Sequence, residues 1–309
     1  QPGKGIPKPI LQQDAYQKLV DAVTPTKVPI GKKVSDLGNK FLSQYYDRLD
    51  AFRGLENKTK IPVHQMAQIV SGASAYGEDL IRLRVRPVLK GLTQNEVKSL
   101  EELMVARRGQ DILARFKGAQ LPGGLEGFKD LLKAEDTLKA KLGQNAFNKV
   151  EQAAKKLWEL NDELVLRPML DEGILSKESY NAIKANNPHY IDFHREDFSV
   201  VDQADRMVRG EASLSDTGIK QLEPTGSIRK LDNPLVRAET QVIKTQNLIS
   251  RNRAAKAVVA GLQELEKQTG EPLVKYLKAG EAGEHSIEKD TISFFFEGKK
   301  QTVEVPKMY

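Results

Sequence analysis

Apolar residues recur at helical spacing through most of this chain, and that period constrains its fold more than any other feature. Between 145 and 172, Phe147, Val150, Ala154, Leu157, Trp158, Leu164 and Val165 fall three, four or seven residues apart, as one face of an amphipathic helix requires. Phe41, Tyr45, Leu49 and Phe52 repeat the pattern over 35–55. Val97, Leu100, Leu103, Met104, Leu113 and Phe116 do so after Thr93, and Val236, Thr240, Ile243, Leu248, Ala255, Val259 and Leu262 do so over 233–268. Further helices are expected over 10–24, 125–141 and 176–185. The punctuation agrees. Thr93 with Glu96 reads as a capping box. Gly173 ends one helix and Ser176 caps the next. Gly143 and the turn LPGG at 121–124 separate others, and Pro168 is expected to kink the helix that contains it or to shift its end. The chain changes period only near its end, where TISFFFEGKKQTVEV predicts a β-hairpin turning at Glu297-Gly298-Lys299. No fixed-period repeat stands out.

At 309 residues the chain exceeds one ordinary core. Apolar residues make up 39% and charged residues 29%, a balance that suits long helices with narrow buried stripes. The expected fold is mostly α: an elongated multi-helix assembly with a long irregular loop at about 199–232 and a small C-terminal β-hairpin. It divides into an N-terminal arm and helices (1–62), a central helical domain (63–198), the irregular linker (199–232), and a long helix plus hairpin (233–309). Cysteine is absent, which excludes disulfides and thiolate metal sites. No run approaches the roughly 20 apolar residues of a membrane span, and QPGKGIPKPILQQ lacks the apolar core of a signal peptide. The chain opens on Gln1 without a Met and stops at Tyr309, just past an apolar run, so it is expected to be part of a longer polypeptide.

The motifs of common chemistry are missing. There is no HExxH, no phosphate-binding Gly-Lys-Ser/Thr loop and no GxSxG. No catalytic residue, metal or cofactor is therefore expected. His189, Asp192, His194 and Glu196 could offer metal ligands, but Pro188 and the flanking aromatics favour a structural loop packed on a helical body. His64 and His285 stand alone. The small residues of SGASAYG at 71–77 read as helix-packing positions. Net charge is +6, and residues 60–117 hold 10 basic and 6 acidic side chains. Arg82, Arg84 and Arg86, with Arg107, Arg108 and Arg115, mark a candidate DNA-facing surface. The plainer alternative pairs this cluster with Glu78, Asp79, Glu101 and Glu102. Tyr190, Phe193, Arg195 and Phe198 interleave rings and charge loosely and mark a candidate partner or loop contact.

Several patches in a fixed order resemble a known family. They are GLTQNEVKSLEELMVARRGQDILARF at 91–116, LPGGLEGFKDLL at 121–132, LDEGILSKESYNAIKANNPHYIDFHRED at 170–197, TGSIRKLDNPLVRAETQVIKTQNLISRNRAAKAV at 225–258 and FFFEGKKQTVEV at 294–305. Together they resemble a helical segment of the very large polyvalent proteins encoded by phages, which include internal virion and ejection-type chains. Three positions depart from the pattern: His189 replaces an aromatic after Asn187-Pro188, and Ile191-Asp192 replaces Val-Pro. The resemblance implies a non-catalytic scaffold stored in the virion, in the capsid interior or tail, and delivered to the host on infection. It implies partnership with itself as a homo-oligomer, with phage portal, tail or other ejection proteins, and weakly and non-specifically with double-stranded DNA. The alternatives are a non-catalytic spacer in a larger phage enzyme and an injected inhibitor of a host protein.

Overall fold

The computed structural model describes residues 49–115, 133–190, 233–278 and 289–306. The expected helix at 10–24, the part of the expected 35–55 helix before residue 49, the turn at 121–124 and the irregular loop at 199–232 lie outside them. Within them the protein is mostly helical with a small antiparallel sheet. After a helical stretch at 49–59 come α1 (Val63–Leu80), α2 (Gln94–Arg115), α3 (Ala134–Leu142), α4 (Gln144–Asn161), α5 (Arg167–Asp171), α6 (Lys177–Asn186) and α7 (Pro234–Thr269). Strands β1 (Lys275–Tyr276), β2 (Lys289–Phe296) and β3 (Lys299–Pro306) follow.

Contacts cluster the chain into two compact units that are not consecutive blocks. The divisions fall inside α1, after Ala73, and inside α7, after Ile249.

The first unit takes the start of α1, the later part of α7 and the body of the sheet. Leu55, Val63, Met66, Val258, Val259, Leu262, Phe294, Phe295, Val303 and Val305 are buried in it. Side chains approach closely at Gly261, where an added Cβ would stand 3.0 Å from both Leu55 and Val63. The Glu56 carboxylate accepts from the backbone N–H groups of His64 (2.8 Å) and Gln65 (3.3 Å), which occupies open donors at the start of α1. The expected hairpin is present and gains a third strand: β3 lies between β2 and β1, with Lys275 opposite Glu304 and Tyr276 opposite Val303. Glu297 (φ 48°) and Gly298 (φ 74°) both take positive φ, the two-residue turn that matches strand twist. Asn252, fully buried on α7, covers one edge of β2. Its Oδ1 accepts from Phe295 N–H at 2.6 Å and its Nδ2 donates to the Phe295 carbonyl at 3.2 Å.

The second unit packs α2 on α4, with α3 against both. Leu100, Leu103, Met104, Leu138, Phe147, Val150, Leu157 and Val165 form its apolar centre. The close approach expected of SGASAYG occurs at Gly77, where a Cβ would meet the Ile243 Cα at 2.9 Å. The buried face of α7 differs from the expected stripe. Val236 is 58% exposed, whereas Arg237, Gln241 and Thr245 are buried ahead of Leu248 and Ile249. A shift of one residue rotates a helical face by about 100°, and here it carries polar side chains inward.

One pattern escaped the sequence reading. Leu83–Leu89 reads LRVRPVL and Leu164–Leu170 reads LVLRPML. Each follows an 18-residue helix, α1 or α4. Each is reached through a π-helical turn, Ile81–Val85 or Asp162–Leu166. In both turns the arginine before the proline bonds five residues back, Arg86 to Ile81 and Arg167 to Asp162. A proline ring clashes with the carbonyl four residues before it, and the wider turn makes room. The expected kink at Pro168 is thus a π turn, and Pro87 repeats it. Both pieces end near a positive-φ glycine, Gly91 (89°) or Gly173 (71°). Both restart on a hydroxyl cap. Thr93 forms the expected capping box, with its N–H donating to Glu96 at 2.7 Å and its Oγ1 accepting from Glu96 N–H at 3.3 Å. Ser176 accepts from Ser179 N–H at 3.1 Å.

Candidate functional site

A buried polar cluster is built on α2 of the second unit. In the run Met104-Val105-Ala106-Arg107-Arg108, both arginines are buried, at 8% and 6% exposure, and Asp111 follows at 9%. A buried charge requires partners, and the flanking elements provide them. Arg107 donates through Nε to Glu135 of α3 at 2.9 Å and through Nη2 to Glu151 of α4 at 2.9 Å. Lys155 stands 3.4 Å from the same Glu151 oxygen. The bond from Arg107, and then the bond from Lys155, hold the Glu151 carboxyl below the usual carboxylate range against the opposing effect of burial. The guanidinium carbon of Arg107 also lies 5.4 Å from the centroid of the Trp158 ring, within cation–π range.

From Trp158 the network reaches the loop after α6. The rings of Trp158 and His189 meet edge to face at 4.5 Å. Asp111 holds His189 twice: one oxygen accepts its backbone N–H at 3.0 Å, and the other lies 3.0 Å from Nδ1. Arg108 hydrogen-bonds the Asn187 side chain and sits 5.2 Å from the Tyr190 ring centroid. Asn161 of α4 donates to the Tyr190 carbonyl at 3.0 Å. The turn Asn187-Pro188-His189-Tyr190 is thus clamped onto α2 and α4, as the structural-loop reading expected of this segment.

This placement corrects part of the candidate surface. Arg107 and Arg108 face inward and offer no surface to a phosphate, because each meets the charge or ring that its burial demands. Tyr190 is a loop contact, but an internal one at 8% exposure. Arg115 closes α2 with its side chain outside the described set, and Phe193, Arg195 and Phe198 lie outside the described residues. So do Asp192, His194 and Glu196. Among the described residues no group of three or more His, Asp or Glu is placed to hold a metal ion. Asp111 and His189 make an acid–imidazole pair of the kind hydrolases use, yet among the described residues no hydroxyl bonds the ring's other nitrogen, and the chain has no cysteine.

Arg82, Arg84 and Arg86 remain at the surface, with side chains 67%, 44% and 64% exposed. All three are paired. Arg82 reaches Asp79 at 2.6 Å, and Arg86 reaches Glu239 at 3.3 Å. Arg84 holds both oxygens of Glu163 at 2.8 and 2.9 Å, linking the two π turns. Of the acids expected to neutralise this cluster, Asp79 does so. Glu101 and Glu102 bond Asn233 and Lys141 instead. Spacing pointed to none of Asp111, Asn161 or Asn187, and to Trp158 only as part of an apolar stripe. The available signal was a pair of arginines that directly follows the apolar run Leu103–Ala106 on the same helix.

No family model matches the chain, and no curated protein or solved structure matches it. Among the described residues no helix is long and apolar enough to cross a membrane.

Proposed function

We propose that this chain is part of a phage internal virion protein of the DNA-ejection type. It acts as a non-catalytic scaffold that assembles with copies of itself or with portal and tail proteins and assists passage of the genome into the host. The observation that carries this reading is the way the second unit is locked. Arg107, Arg108 and Asp111 bolt α3, α4 and the Asn-Pro loop together through ion pairs and ring contacts around a modest apolar centre. Polar bolts re-form in one register, which suits a protein that must pass a narrow conduit and refold. The absence of cysteine permits that passage without mispairing, and the resemblance of residues 91–260 to polyvalent phage proteins supports it. In this reading Arg82, Arg84 and Arg86 touch duplex DNA only weakly, since each already has a carboxylate. Light scattering on the purified chain, with and without duplex DNA, tests the proposal. A discrete homo-oligomer, or assembly promoted by DNA, is expected. A monomer at every concentration, indifferent to DNA, would reject it in favour of a spacer or an inhibitor.

A further inference from the structure

We infer that Asn252 closes the free edge of the sheet: its side-chain amide occupies the place of a neighbouring strand and keeps a further β-strand from pairing with β2. The inference concerns the first unit alone and does not depend on the assembly proposed above. Among the described strands β3 is the middle one, so β1 and β2 are the edges. An edge strand presents unpaired N–H and C=O groups to any extended chain that reaches it. β1 is two residues long, too short to offer a row of such groups. β2 runs for eight, Lys289–Phe296, and is the edge that needs closing.

In an antiparallel strand the N–H and C=O of one residue point the same way, and that direction alternates along the chain. Both polar groups of Phe295 bond Asn252, the N–H at 2.6 Å and the carbonyl at 3.2 Å, so both point away from β3. Ser293 and Thr291 share that direction. The hydroxyls of Ser293 and Thr302 meet at 3.0 Å across the strands, as the closer, non-hydrogen-bonded pairs allow. The Thr291 N–H is taken at 2.7 Å by the Asp290 carboxylate. Side chains thus hold the first and third of three successive outward positions, and an incoming strand meets no two free residues in a row. Asn252 is fully buried, and its amide carries an acceptor and a donor side by side, as a strand's backbone does. An apolar residue in its place would leave both Phe295 groups unpaired, and a new strand would satisfy them.

The test is hydrogen exchange over residues 289–296 of the purified chain, at two protein concentrations at least tenfold apart, for the wild type, Asn252→Leu and Asp290→Ala. In a solution of one protein the strand that adds is the β2 of a second copy. Wild-type exchange is expected to be the same at both concentrations. In Asn252→Leu it should slow at least ~10-fold at the higher concentration, and in Asp290→Ala by less. Adding Ser293→Pro to either variant should abolish the slowing, because proline removes an outward N–H and spares the bonds to β3. If Asn252→Leu loses its helical circular dichroism, Asp290→Ala decides alone, since Asp290 is exposed. Exchange independent of concentration in the folded variants would overturn the inference and leave Asn252 as a tie between α7 and β2. Concentration-dependent exchange in the wild type that Ser293→Pro abolishes would also overturn it, since the edge would already be open.

Discussion

In the second Arg-Pro turn Leu164 is buried, and the glycine after it, Gly173, accepts a hydrogen bond at 2.9 Å from Gly298 at the tip of the β-hairpin. In the first turn Leu83 faces outward, and Gly91 has open space where a Cβ would stand. The two segments share a leucine, an Arg-Pro step, a π turn and a hydroxyl-capped helix. They differ in what covers them. Sequence that builds a backbone shape does not also decide its exposure, which depends on what the rest of the chain sets against it.

The largest expected effect separates the two leucines. Leu164→Ala should cost about 3 kcal/mol in denaturant unfolding, as a large-to-small change in a packed site. Leu83→Ala should stay within about 0.5 kcal/mol, as a change at the surface. Equal costs would break the comparison. The glycines come next. Gly298→Ala would place a Cβ 2.5 Å from the Ser176 backbone nitrogen and should cost at least about 2 kcal/mol, because backbone on both sides must shift. Gly91→Ala meets nothing and should cost about 1 kcal/mol for its left-handed conformation alone.

Removing the Arg107 side chain should cost about 2–3 kcal/mol, since Glu135 and Glu151 lose their partner and Trp158 loses its stacked cation. That change tests the clamp independently of either turn. The salt link between the turns should matter least. A double-mutant cycle on Arg84→Gln and Glu163→Gln should return a coupling of about 0.5–1 kcal/mol that falls with added salt, as exposed pairs do.

Acid sharpens the comparison at the caps. The Glu96 carboxyl is held below its usual range first by the Thr93 backbone N–H, then by the Thr93 hydroxyl, and Glu178 by its own backbone N–H and then Ser176. A lowered folded-state value means that each contributes stability above the ordinary carboxylate range and loses it as pH falls through the folded value. Thr93→Ala and Ser176→Ala should therefore each flatten the acid limb of a stability–pH curve. Unaltered limbs would show that these caps are not titration-linked.

Much of the fold was legible because helices announce themselves by period and by their caps. The Thr93–Glu96 box, the stop at Gly173, the cap at Ser176 and the Glu297-Gly298 turn were all readable from local chemistry, which acts over three or four residues. The third strand at Lys275–Tyr276 was not, because two residues carry no period. The division of α1 and α7 between two units was hidden for a different reason: a helix shows which residues can be buried, but not against which neighbour. The same gap hid the candidate site. Arg107 and Arg108 look like surface charge until Glu135, Glu151 and Asn187 are brought to them from 28 to 79 residues away. The Arg-Pro recurrence was present in the letters, but two copies of seven residues become conspicuous only when both adopt the same turn.

Hydrogen exchange read peptide by peptide, at two protein concentrations at least tenfold apart, tests the central claim most directly. The account predicts that peptides over 162–171 are protected equally at both concentrations, because their cover comes from the same chain. It predicts that peptides over 81–90 exchange faster at both concentrations, because Leu83 is exposed. Equal protection of both turns would contradict it.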